Sequence, residues 1–102
     1  MSGSSPSDLA VTFRSLARRL REAEGHAPAE VIAPHRHRLE HHLGEAATLL
    51  GSSAEASAIA DAIDRVPATE WTDDVLDAVR RVALDVGAAM RAIAAAAGDA
   101  ER

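Results

Sequence analysis

Apolar side chains recur three or four residues apart along most of the chain, a spacing that places them on one face of an α-helix. The longest such stripe lies in the C-terminal half and comprises Val75, Val79, Val82, Val86, Met90 and Ile93. No segment alternates apolar and polar residues as half-buried strands do, and no Asn-Gly or Asp-Gly pair marks a hairpin. The pattern therefore predicts an all-α fold.

Residues that favour helix ends divide the first half of the chain into two helices. Ser5 as N-cap, followed by a proline and an acidic residue, predicts a first helix from about residue 6, and Gly25 predicts its end. Pro28 is expected to open only a short turn. Pro34 lacks the backbone N–H that a helix interior needs, so we expect it to begin the second main helix, over 34–50.

The second half is divided in the same way. Ser52 and Glu55 have the spacing of a capping box, which predicts a third helix that stops at Pro67. Acidic residues then favour the start of a long fourth helix, at about 70–97, with Gly98 as its C-cap. The chain is therefore expected to be a small helical bundle of three to four helices with a long C-terminal helix.

The length of 102 residues is sufficient for one domain and too short for two. The helical segments place a single helical domain at 6–98. The polar residues 1–5 are expected to form a disordered N-terminal tail, and residues 99–102 a frayed C-terminus.

The chain has few large apolar side chains, and this shortage affects how the predicted core can be completed. Hydrophobic residues make up 47% of the chain, but 24 of them are alanine, and Leu, Ile, Val and Phe together contribute only 21. Alanine favours helix strongly and buries little area. We therefore expect a non-enzymatic interaction module in which a second copy of the chain, or another helical protein, covers the long helix. The predicted interface residues are Trp71, Val75, Val79, Val82, Val86, Met90 and Ile93.

Trp71 is the only tryptophan and lies at the entry of the long helix, beside Glu70 and Asp73. One interpretation is that its ring covers the start of this helix as part of the core. The other is that it is an exposed anchor for a partner, because tryptophan is common among the residues that dominate interface energetics.

Four of the five histidines lie between His35 and His42. His37 and His41 are four residues apart, which lets two imidazoles on one helix hold the same ion, and Glu45 lies four residues further on. These three residues are the candidate ligands of a divalent metal, and a metal- or haem-binding protein is the first alternative function. The simpler interpretations are solvated or packing histidines, or a pH-sensitive contact. No other cofactor is expected.

The remaining composition argues against several classes of function. The chain has no Cys, Lys or Tyr and no nucleotide-binding or nucleophile-elbow motif, so we expect it not to be an enzyme. A helix-turn-helix protein would need a basic recognition helix, whereas Asp73 and Asp74 make the start of the long helix acidic. With a net charge of −5, we expect no nucleic-acid partner.

No apolar run approaches the roughly 18 residues of a membrane span, and residues 1–7 lack the layout of a signal peptide. We therefore expect a cytoplasmic protein without a membrane partner. All 11 basic residues are arginine, which together with the abundant alanine is typical of GC-rich, bacterial coding sequence.

The length, acidity, alanine-rich helices and single Trp71 near a helix turn resemble the small helical proteins exported by the type VII system of actinobacteria. The resemblance implies a two-helix hairpin and export without a signal peptide. The Trp-x-Gly motif of that family is missing, because Thr72 and Asp73 follow the tryptophan, and no tyrosine is present for its export motif. No functional residue is therefore carried over from that family.

Overall fold

The computed structural model describes residues 5–100. Four α-helices follow one another: α1 (Pro6–His26), α2 (Ala29–Leu50), α3 (Ala56–Arg65) and α4 (Asp73–Ala100), with a short 3-10 turn at Ala68–Glu70. The described residues contain no strand, so the predicted all-α bundle with a long last helix is confirmed. Four helices also differ from the two-helix hairpin that the type VII resemblance implied.

Both ends of the described chain are helical or cap a helix. The Ser5 hydroxyl accepts a hydrogen bond from the Asp8 backbone N–H (3.3 Å), and the Asp8 carboxylate accepts one from the Ser5 N–H (3.4 Å). Ser5 is thus the N-cap of α1 rather than part of a disordered tail. At the other end, α4 continues through Gly98 to Ala100, because a glycine among helix-forming alanines costs only about 1 kcal/mol. The predicted C-cap at Gly98 is wrong, and residues 1–4 and 101–102 lie outside the described residues.

α2 begins earlier than predicted and runs without a break past Pro34, its sixth residue. The proline cannot donate to the Glu30 carbonyl and its ring crowds that group, at a cost of about 3 kcal/mol. The preceding turn is retained because Ile32 is only 2% exposed. Burying an isoleucine side chain contributes about 1.5–3 kcal/mol, which offsets the proline. The prediction that Pro34 begins this helix is therefore wrong.

α3 begins at Ala56, and its N-cap residue Glu55 makes no side-chain capping bond. The chain leaves α2 through Gly51, which has a left-handed backbone (φ 66°, ψ 36°). The Ser52 N–H then bonds a carbonyl of α2 (3.1 Å), and its hydroxyl donates to the Ser53 carbonyl (3.1 Å). Because Ser52 completes the end of α2, the predicted capping box with Glu55 is wrong.

α4 packs against both α1 and α2, and α3 packs against the same two helices. The side chains that are almost fully buried come from all four helices: Phe13, Ile32, Leu39, Ile59, Ile63, Val79, Val86 and Ile93. Ten of the twenty-three buried residues in the described chain are alanines, which allow neighbouring helices to approach closely. The radius of gyration, 14.0 Å, exceeds the roughly 13 Å of a compact domain of this length, so the bundle is elongated.

Arg14 joins α1 to α3 on the surface. Its guanidinium donates hydrogen bonds to Asp61 (2.9 Å) and Asp64 (2.6 Å), and these bonds raise the pKa of Arg14 above its usual value. No helix in the described part of the chain is long and apolar enough to cross a lipid bilayer.

Candidate functional site

Most of the predicted interface stripe lies inside the chain's own core. Five of its residues are between 0% and 5% exposed: Val79, Val82, Val86, Met90 and Ile93. The shorter helices therefore cover this face of α4. A second chain was expected over this stripe because large apolar side chains are few. That reason does not hold, because the buried alanines let α1, α2 and α3 pack closely against α4 without many large side chains.

Trp71 and Val75 are the two stripe residues that keep some exposure, and both pack against the core from its edge. Trp71 lies just after the 3-10 turn, and the Thr72 hydroxyl next to it accepts a hydrogen bond from the Val75 N–H (3.2 Å). Trp71 is therefore half-buried against the core, as expected if the ring belongs to the core.

Part of the predicted interface stripe of α4 lines a surface cavity. A cavity of about 470 Å³ opens between α1 and α2, with Val86 and Met90 of α4 among its lining residues. Arg36 on its rim pairs with Glu24 of α1 and with Glu40 one turn further along α2 (3.1 Å). The Arg36–Glu24 pair links α2 to α1 beside the opening, whereas the Arg36–Glu40 pair lies within α2.

A second face of α4, here called the outward face, points away from the bundle. Its residues follow spacings of three and four and are all exposed: Asp77, Arg81, Leu84, Ala88, Arg91 and Ala95. Leu84 at its centre is 74% exposed, the highest value among the exposed large apolar residues of the described chain. This face was not predicted from the sequence, although Leu84, Ala88, Arg91 and Ala95 follow one another at steps of four, three and four residues.

The structure brings together two of the three predicted metal ligands and replaces the third. Potential ligand atoms of His41, His42 and Glu45 lie within 4.8 Å of one another. His41 Nε2 is 3.6 Å and His42 Nδ1 is 2.9 Å from the same Glu45 oxygen, Oε1. His37 is exposed on α2 and does not belong to this group. The i, i+4 rule found His41 and Glu45, but it passed over His42, which reaches Glu45 across three residues.

α4 contributes a further carboxylate to this cluster. Asp85 Oδ2 lies 3.8 Å from His42 Nδ1, across the contact between α2 and α4. The His42 side chain is 20% exposed and Asp85 is 49% exposed. Sequence spacing cannot predict this contact, because Asp85 is more than forty residues away and only the packing of the two helices places it there.

Comparisons with known proteins returned no match to a protein-family model, to a curated protein or to a solved structure. The function of the chain therefore has to be inferred from its own residues.

Proposed function

We propose that the chain is a non-enzymatic interaction module that forms a homodimer through the outward face of α4. The observation that carries this proposal is the exposed Leu84 at the centre of that face. Between Gly87 and Ala97, moreover, the helix carries a single charged residue, Arg91. A helix that stays in water on one side normally presents a polar face there. A second chain packed on this face would bury the leucine and the alanines that follow it.

The positions of the charges favour a second copy of the chain as the partner. Leu84 lies midway between Asp77 and Arg91, seven residues from each. In a symmetric dimer the same patch is used twice, so an antiparallel pairing of two α4 helices about Leu84 would juxtapose Asp77 with Arg91 of the partner subunit, and the reverse. All these residues lie on the outward face and are exposed.

The expected dimer is weak. One helix packed on one helix falls below the area of a standard interface, and each exposed ion pair contributes only about 0.2–1 kcal/mol. Burial of the leucine adds about 1.5–3 kcal/mol per chain. Association also costs at least about 4 kcal/mol of lost translational and rotational freedom. We therefore expect dissociation in the millimolar range.

Sedimentation equilibrium over a wide concentration range tests the dimer. The wild-type mass is expected to rise towards twice that of the monomer, whereas Leu84→Asp should remain monomeric because two carboxylates would meet at the axis. Val11→Asp is the matched control, since Val11 is 65% exposed but lies on α1. A monomeric wild type throughout, or equal loss of dimer in both variants, would overturn the proposal.

The antiparallel arrangement has its own test. Asp77→Arg and Arg91→Asp should each weaken the dimer by placing like charges opposite each other, and the double variant should restore it. If the double variant is no tighter than either single variant, this arrangement is wrong.

A further inference from the structure

We propose that His41, His42, Glu45 and Asp85 form a binding site for a divalent transition-metal ion of the zinc class, which ties α2 to α4. This inference does not depend on the dimer. It replaces the pairing of His37 with His41 by a cluster in which His42 is central.

The distances fit a shared ion after side-chain rotation. Ligands held about 2.0–2.2 Å from a tetrahedral zinc ion lie about 3.3–3.6 Å apart. Potential ligand atoms of the two histidines and Glu45 already lie within 4.8 Å of one another. The Asp85 carboxylate is 3.8 Å from His42 but lies outside that group of three, so its side chain has to rotate to reach the same ion.

Two imidazoles converge on one carboxylate oxygen in this cluster, whereas an ordinary surface ion pair joins only two side chains. His41 and His42 precede Glu45 by four and three residues, and both approach its Oε1 atom. A single carboxylate oxygen faced by two imidazole nitrogens is an arrangement that a cation placed among them would satisfy directly.

The donor set selects the class of metal. Two imidazole nitrogens with two carboxylates suit Zn²⁺, Ni²⁺ or Cu²⁺, whereas Ca²⁺ and Mg²⁺ prefer oxygen ligands. His41 and Glu45 are 72% and 48% exposed, so the site is open to solvent and water can complete the coordination. A surface groove between α2 and α4 is lined by Arg81 together with Glu45 and Asp85, and the positive charge of Arg81 opposes the binding of a cation there.

Thermal unfolding of the full chain with and without excess ZnCl₂ tests the site. At a zinc concentration about 100 times the Kd, the melting temperature should rise by about 13 °C, because only the folded chain presents the four ligands together. His42→Ala and Asp85→Asn should each reduce the zinc affinity at least about tenfold. His37→Ala is the matched control, because His37 is exposed on the same helix but outside the cluster. It should leave the affinity unchanged.

Folding defects and loss of metal binding are separated by two further measurements. The melting temperature of each variant without zinc shows whether it folds, and the visible spectrum of the Co²⁺-loaded chain reports the ligands directly. The proposal is overturned if zinc does not raise the wild-type melting temperature. It is also overturned if the rise persists in a His41→Ala, His42→Ala double variant or disappears in His37→Ala. An unchanged affinity in Asp85→Asn would refute the link between α2 and α4.

Discussion

Replacing Pro34 by alanine is expected to stabilise the protein. Pro34 is the sixth residue of α2 and is exposed, so the substitution alters the helix backbone without removing a core side chain. The new backbone N–H can donate to the Glu30 carbonyl, and the clash between the proline ring and that carbonyl disappears.

The expected gain is about 2 kcal/mol. Alanine is about 3 kcal/mol more favourable than proline in a helix interior. Against this, removing proline returns about 0.4–1 kcal/mol of conformational entropy to the unfolded chain. For a domain of about 100 residues, a net gain of 2 kcal/mol raises the melting temperature by about 10 °C.

Urea unfolding followed by far-UV circular dichroism measures this gain as a higher midpoint with an unchanged slope. Pro28→Ala is the control, because Pro28 is the N-cap residue of α2 and lies outside the helix interior. A terminal proline displaces no helix hydrogen bond. Pro28→Ala should therefore not stabilise the protein, and should lower its stability by about 0.4–1 kcal/mol through the entropy of the unfolded chain.

The result that would refute this reasoning is a Pro34→Ala variant that is no more stable than wild type. Proline is favourable at the first position of a helix. A neutral or destabilising effect would therefore indicate that α2 begins at Pro34 and that the turn containing Ile32 is not helical.

Three further substitutions test the core and the backbone by chemical unfolding. Phe13 is 0% exposed, so Phe13→Ala should destabilise the protein by about 3–5 kcal/mol, and a loss under 1 kcal/mol would contradict its central position. Gly51 has a left-handed backbone, so Gly51→Ala should cost about 1 kcal/mol. Gly87 lies within α4, where an added Cβ would meet only the Arg91 guanidinium at 3.5 Å, so Gly87→Ala should stabilise by about 0.5–1 kcal/mol. If Gly51→Ala and Gly87→Ala changed the free energy of unfolding in the same direction, the bounds given for α2 and α4 would be wrong.

The helices could be predicted from the sequence because their apolar spacing and end residues are local properties. Two errors occurred where local patterns compete. Ser52 donates its N–H to the Ala47 carbonyl at the end of α2 instead of capping α3, and α4 continues through Gly98. At Pro34, by contrast, a distant contact decides the local structure, because the burial of Ile32 against the bundle extends α2 beyond the proline. Local rules do not include this contact.

The candidate sites were predicted less well for the same reason. Spacing along one helix found His41 and Glu45, but the cluster also contains the adjacent His42 and, from another helix, Asp85. The apolar stripe of α4 was predicted to need a partner because large side chains are few. That inference did not allow for ten buried alanines, which let the bundle close around the stripe.

The packing of α4 against both α1 and α2 has a consequence for synthesis. The three helices α1, α2 and α3 leave the ribosome before α4. α3 can cover part of α1 and α2 by then, but the faces that pack against α4 stay uncovered until it emerges. An incomplete chain would therefore expose the apolar side chains of these faces to water and to chaperones. Cooperative folding should start only after most of α4 has been translated, so premature termination within this helix would yield fragments prone to proteolysis.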